Sequence, residues 1–416
     1  MFLKGSLTKG CSENFFRFFS PEKNVTSRGA IITILIIYLV FIFRVELLVI
    51  PDQMPDTLLF FGSFLIFLCY LIFPRKIVHA QRAKSPGKEL RIFNLNSYLI
   101  PWFYVYKLVL QGDKFAIGSC RDQHERARAI AKVCKQYDVS VIQEVWGGGS
   151  HELQRAVETT HNIIPRYRAW GGLFGTGFLA DLFNSALGSL RKNGGLWFAS
   201  CPSSAPVIWS HHHTFNHKEG EEFMDKSANF ILLDLSNKWG PGYKLLIVST
   251  HLHSPEPFAH TMDRKKQREE ILNILNKLPD QLEAEGIQVN WSNCGAVLLG
   301  DLNTACCIKG DQLGKNFSTE YLETLEVFKA RDLFLENDSF KPEHRGKFSY
   351  DGYANEYVSP KSKQDSSRMD YALALTSVGS RQVMKFRAVD CKIMDDTLVS
   401  DHWPISLTLV PDEDTE

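Results

Sequence analysis

Glu144, His251, Asp301, Asn303 and His402 stand in four short strings far apart in the chain: Gln143-Glu144-Val145, Thr250-His251-Leu252-His253, Gly300-Asp301-Leu302-Asn303 and Ser400-Asp401-His402. Each string follows or adjoins a hydrophobic run, where a strand would end. Hard oxygen ligands suit Mg²⁺, and a separate imidazole beside a metal suits general-base hydrolysis at phosphorus. One such string means little, because a Glu or an Asp-His pair at a strand end is most often a surface feature. Four in this order point to a phosphodiesterase-type site.

The elements that must position these residues are legible as apolar runs. Leu90 to Leu95, Val139 to Ile142, Gly195 to Ala199, Ala228 to Leu235, Leu245 to Ser249 and Ala296 to Leu299 read as strands. Later strands are expected over Asp370 to Ala374, Phe386 to Cys391 and Ile405 to Val410. Helical spacing marks Arg121 to Tyr137 and Asp263 to Leu278. Strands outnumber helices and several are apolar throughout, so the expected fold is an α/β four-layer sandwich: two packed mixed β-sheets flanked by helices. Asp301 and Asn303 alternate along one strand end and face the same way.

Composition divides the chain unevenly. Residues 1–89 carry 11 Lys/Arg against 6 Asp/Glu, and the remainder 36 against 41. Nucleic-acid enzymes carry a basic footprint on the binding face, and the larger part shows no such excess, so no nucleic-acid partner is expected. Nine Cys without framework spacing point to free thiols. Asn24-Val25-Thr26 and Asn316-Phe317-Ser318 match a glycosylation acceptor that chance often produces. His211-His212-His213 with His217 invites a zinc reading, but consecutive His do not make a chelating face; a solvated loop is expected.

Ala30 to Phe43 and Thr57 to Phe73 are two apolar runs with Arg44, Glu46, Asp52 and Asp56 between them. Fourteen helical residues reach only about 21 Å, against a hydrocarbon core of roughly 30 Å. Two arrangements therefore remain, a short two-span helical hairpin or two re-entrant segments. Both leave residues 1–29 and those after Phe73 on one side, which Lys23, Arg28, Arg75, Lys76, Arg82 and Lys84 mark as cytoplasmic. The expected organisation is a tail (1–29), a membrane hairpin (30–73), a linker (74–89), a catalytic domain (90–410) and an acidic tail (411–416).

These motifs resemble those of the endonuclease/exonuclease/phosphatase superfamily, the deoxyribonuclease-I-like fold, and within it the membrane-bound neutral sphingomyelinases. Arg91-Ile92-Phe93-Asn94-Leu95-Asn96 with Ile100-Pro101 resembles that family's opening strand, and Thr250 to His253 with Arg264 and Gln267 its middle motif. The resemblance implies Mg²⁺ as cofactor, replaceable by Mn²⁺, held by Glu144 with Asn96 (or its rival Asn94) beside it. It implies His402 as general base, its tautomer fixed by Asp370, with Asp401 supporting the metal side. Asp301 would orient the attacking water, and Asn303 and His251 would donate to phosphoryl oxygens; His253 and Asn193 would contact substrate. Lys226 matches a lysine that works as a switch with an upstream acidic residue, here Glu221 or Asp225. Ser227 stands where that family usually has Gly, and Tyr98 where Trp is common.

The superfamily's core serves nucleic acids, inositol phosphates and choline lipids alike, so loops decide the substrate. The N-terminal apolar pair, the missing basic excess and an apolar Gly-bearing insertion from Gly171 to Leu187 favour a membrane lipid. The resemblance implies sphingomyelin, cleaved to ceramide and phosphocholine, with an anionic lipid as a possible activator. The alternatives are a phospholipase C-type activity on lysophospholipid or another phospholipid, and a nuclease.

Overall fold

A computed structural model of the chain describes residues 87–100, 122–147, 149–164, 194–217, 225–254, 261–308, 316–337, 341, 347–358 and 365–412. The expected membrane hairpin, the Gly171–Leu187 insertion, Asn193 and Glu221 lie outside these residues. Among the described residues no helix is long and apolar enough to cross a membrane.

Two six-stranded sheets carry the fold. The first uses β1 (Leu90–Leu99), β2 (Val139–Val145), β3 (Asn162–Ile164) and β4 (Trp197–Ser200). The second uses β5 (Val207–Thr214), β6 (Ser227–Asp234), β7 (Lys244–His251), β8 (Cys294–Asp301), β9 (Ala330–Asp332) and β10 (Asp370–Leu375). β11 (Phe386–Ile393) and β12 (Ile405–Pro411) return to the first sheet. The strand orders are β11-β12-β1-β2-β4-β3 and β5-β6-β7-β8-β10-β9. Each sheet holds one parallel pair, β1 with β2 and β7 with β8, and its other pairs are antiparallel.

The side-chain period of two assigns each strand's residues to a face. Leu90, Ile92, Val139 and Val141 from one sheet meet Ile231, Leu245, Ile247, Val297 and Leu299 from the other in a dry layer between them. The outer face of the first sheet packs on α1 (Gln123–Cys134) and α2 (Ser150–Val157) through Ala127, Ile130, Leu153 and Val157. The outer face of the second is covered by α3 (Thr261–Ala284) and α4 (Thr319–Phe328) through Ile271, Leu275, Leu278 and Phe328. Helix, sheet, sheet, helix: the described residues form the expected four-layer sandwich.

Two local expectations need correction. The His211-His212-His213 run is no solvated loop. It lies in β5, paired with β6, where His212 meets Asn229 at 2.7 Å and His213 meets Glu270 of α3 at 2.7 Å. Alternation sends neighbouring imidazoles to opposite faces and gives each a partner there. The helix read as ending at Leu278 continues through Pro279 to Ala284, because Leu282 is buried against the sheet and holds the last turns in place.

The two ends of the sandwich differ. At the end where β1 begins, Lys238 Nζ donates to the Glu89 carbonyl (2.6 Å) and pairs with buried Asp138 (3.1 Å), while Trp239 Nε1 donates to the Lys88 carbonyl (2.8 Å). At the other end β7 and β8 approach so closely that Gly300, at φ 139°, has no room for a Cβ, which would lie 1.9 Å from the Thr250 carbonyl oxygen. That approach puts His251 in register with Asp301.

Candidate active site

The carboxyl ends of all four parallel strands meet at the second pole, the place where open α/β sheets bind ligands. Asn96 comes from β1, Glu144 from β2, His251 from β7 and Asp301 from β8. Asp370 joins them because β10 runs antiparallel to β8 with Asp370 opposite Asp301. His402 precedes β12, which runs antiparallel to β1 and so starts at the same pole.

Alternation alone would send Glu144 to the helix side of the sheet with Ile142. Glu144 instead has φ 57°, a left-handed conformation rare for a residue with a Cβ. The turned backbone returns its carboxylate to the cleft between the sheets, where Oε1 accepts from Asn96 Nδ2 at 3.0 Å. The same amide nitrogen donates to Asp301 Oδ2 at 2.9 Å, so Asn96 bridges the two carboxylates. Asn303, at φ 49°, donates its backbone N–H to Asp301 Oδ1 (2.8 Å) and its amide to the Leu252 carbonyl (2.9 Å).

Burial pushes the Glu144 carboxyl up to about 7, against Lys226 and with help from Asp401. Burial and the neighbouring Asp370 charge push Asp301 up to about 6. Asp401 is likewise raised by burial. Three carboxyls buried together at this cost fit a divalent cation, which takes oxygen ligands and would reverse each shift. Glu144 is the most open of the inner carboxylates, its side chain 14% exposed against 1% for Asp301. Asp301, Asp370 and His402 also offer ligand atoms within 4.8 Å of one another. There, however, His402 Nδ1 and Asp370 Oδ2 already satisfy each other at 2.7 Å, so Glu144 and Asp301 are the better pair. Asn96 turns its nitrogen to the carboxylates while its oxygen accepts from Tyr98 N–H (3.2 Å), so here it braces the ligands.

His402 donates from Nδ1 to Asp370, which leaves Nε2 facing the cleft 3.9 Å from Asp301 Oδ2. Burial opposes its charge, but Asp370 and then Asp301 and Asp401 outweigh that and hold its pKa well above the ordinary imidazole value. Ser349 Oγ accepts from the Asp370 and Met369 N–H groups, and the Tyr350 ring lies edge-on to His402 at 5.2 Å. Ser400 Oγ donates to the Asn96 carbonyl (2.7 Å), tying the His402 loop to β1. Arg126 of α1 clamps both sides of that junction through the Ser97, Tyr98 and Val399 carbonyls.

His251 Nε2 lies 3.6 Å from both Glu144 and Asp301 and 2.7 Å from Lys226 Nζ. An ammonium only donates, so the imidazole accepts there. Burial, with Lys226 next, keeps the His251 pKa well below its usual value, so it accepts as a neutral ring. The Trp146 ring flanks both groups, 5.8 Å from His251 and 5.7 Å from Lys226 Nζ, and fills the space that Gly195 leaves.

The structure thus brings together Asn96, Glu144, Lys226, His251, Asp301, Asn303, Asp370, Asp401 and His402. His253 is adjacent, its backbone N–H bonded to Gln267 Oε1 and its ring turned to the Ser254 carbonyl at 3.0 Å. Asn193 lies outside the described residues. Sequence reasoning missed Trp146, Ser349, Tyr350 and Arg126. Trp146 stands directly after a quoted string, whereas nothing local marks Ser349 or Tyr350.

No family model and no curated protein matches the chain. Among solved structures it is similar to beta toxin from Staphylococcus aureus, at 18% identity over 76% of this chain and 99% of that one, TM-score 0.48. It is similar to sphingomyelinase C from Streptomyces griseocarneus, at 17% identity over 78% and 99%, TM-score 0.48. A humanized D. rerio TDP2 matches at 13% identity over 78% and 99%, TM-score 0.46.

Proposed function

We propose that the protein is a Mg²⁺-dependent phosphodiesterase acting on a membrane phospholipid, with sphingomyelin the foremost candidate and ceramide and phosphocholine the products. The observation that carries the reaction class is the convergence of Glu144 and Asp301, bridged by Asn96, opposite the Asp370–His402 pair. A lipid substrate is supported by the two N-terminal apolar runs, by the missing basic excess and by the family resemblance of the motifs. On this reading residues 30–73 hold the chain in a membrane, with the site on the cytoplasmic side.

Glu144 and Asp301 would hold the cation, with Asn96 fixing their spacing. When bound, the cation supplies positive charge to the phosphoryl and leaving oxygens, and the same charge weakens the grip of His402 on its proton. His402 Nε2 then takes a proton from water, and Asp370 steadies the imidazolium through Nδ1. Asp301 aligns that water. Lys226, backed by His251 as acceptor, and Asn303 donate to phosphoryl oxygens as charge builds.

The test is a substrate panel: vesicles of sphingomyelin, lysophosphatidylcholine or phosphoinositide, and single-stranded DNA, each with Mg²⁺, Mn²⁺ or chelator. Release of phosphocholine from sphingomyelin, lost on chelation, is the expected result. Preference for lysophosphatidylcholine would move the substrate, and salt-sensitive DNA cleavage alone would overturn the lipid assignment.

Cation binding also carries a pH signature. In the cation-free protein Glu144 and Asp301 keep protons up to about 7 and about 6, whereas unfolded carboxyls lose theirs near pH ~4. The folded state holds the extra protons, so stability falls as pH rises through that window. A cation must displace them, and its affinity rises with pH across the same range. Calorimetry near pH 6 in buffers of differing ionisation heat should show at least about one proton released per Mg²⁺. A zero count near pH 6 would remove these two carboxylates as ligands.

A further inference from the structure

We propose that Gln267 is the positioning residue that holds Lys226 and His251 at their working separation, an inference that rests on the phosphodiesterase reading. Gln267 lies on α3, sixteen residues past the end of β7, and its side chain is fully buried. Its Oε1 accepts from the His253 N–H at 2.9 Å, and its Nε2 donates to the His217 carbonyl at 2.6 Å. One amide therefore joins two backbones that lead into the site by different routes. His253 follows His251 out of β7, and His217 follows the end of β5, where the Phe215 N–H donates to the Lys226 carbonyl at 3.0 Å.

The surroundings fix both contacts. Arg264, one turn earlier on α3, donates to the His253 carbonyl (3.4 Å) and is itself held by Glu320 of α4 at 2.8 Å. Glu270, nearly one turn later, accepts from His213 (2.7 Å), His217 (2.8 Å) and the Asn216 N–H (3.1 Å). Leu252 is gripped by Asn303, and Lys226 contacts His251. Of the three α3 side chains, only Gln267 touches both backbones with a donor and an acceptor. An ionised residue cannot replace it, because a carboxylate would face the His217 carbonyl and an ammonium the His253 N–H.

Two variants of the full chain test this. In Gln267→Met the His253 amide should exchange with deuterium at least tenfold faster than in the wild type, while amides of β8 stay protected. On sphingomyelin vesicles its kcat should fall tenfold or more with KM within about threefold. Gln267→Glu keeps the acceptor for His253 and loses the donor for His217 until the new carboxyl is protonated. Its kcat relative to wild type should therefore rise as pH falls, with Arg264, Glu270, His217, His213 and His253 the titratable groups around it. Unchanged His253 exchange in Gln267→Met overturns the clamp whether or not any substrate is turned over. Normal exchange loss with kcat within twofold of wild type, or a flat relative pH profile for Gln267→Glu, overturns its role in positioning. A wild-type protein without phosphodiesterase activity defeats the functional reading, while the exchange result still decides the clamp.

Discussion

Replacing His402 with alanine or asparagine lowers kcat about 10³-fold or more, the upper part of the range for losing a general base. The two variants separate chemistry from folding. In His402→Ala the carboxylate of Asp370 loses its 2.7 Å partner inside the protein, and leaving a buried acceptor unpaired costs roughly 1–3 kcal/mol or more. The alanine variant should thus unfold somewhat earlier than wild type. In His402→Asn the side-chain amide can donate to Asp370 but cannot take a proton at the position of Nε2. It should melt closer to wild type and be as inactive. Single-turnover phosphocholine release, beside a melting curve for each variant, separates the two effects. Activity of His402→Asn within tenfold of wild type would transfer the base role elsewhere.

The largest loss of stability is expected at Arg368. Its guanidinium is buried between the rings of Phe334 (4.9 Å), Tyr371 (5.0 Å) and Tyr321 (5.7 Å), with Asp332 at 2.7 Å as its counter-ion. Its backbone carbonyl accepts from the Cys306 N–H and the Tyr371 hydroxyl, so Arg368 sits between the Asn303 loop and the start of β10. Removing one partner of such a pair strands the other charge, which typically costs about 3–5 kcal/mol. Arg368→Met should lower stability by that amount in urea unfolding. Adding Asp332→Asn should recover part of it, because the stranded carboxylate is gone. A loss under about 1 kcal/mol would show that the rings, and not the ion pair, hold this region.

Much of the site could be read from the chain because strand ends carry their own signals. Buried runs such as Val139–Ile142 and Ala296–Leu299 announce strands, and a carboxylate directly after one must lie at a sheet's end. Less legible was whatever depends on a departure from regular geometry. Nothing in Gln143-Glu144-Val145 reveals that Glu144 leaves the strand alternation by a positive φ. The histidine run in β5 reads as polar because its partners, Asn229 and Glu270, are distant in sequence. The third helix reads as ending at Leu278 because the buried Leu282 that carries it through Pro279 is a tertiary fact. Ser349 contributes through a hydroxyl beside Asp370, and a single serine gives no periodic signal.

The fastening of Lys88 and Glu89 has a mechanical consequence. β1 lies in the middle of its sheet, flanked by β12 and β2, with Asn96 near its far end. Ladder hydrogen bonds run across a strand, so a pull on the chain ahead of Lys88 loads the β12 and β2 ladders in shear, many bonds at once. The Lys238 and Trp239 contacts to those first carbonyls meet the load before any strand does. Tension from the amino-terminal side is therefore absorbed at the pole away from Glu144 and His402, and the spacing of the reacting groups is shielded from it.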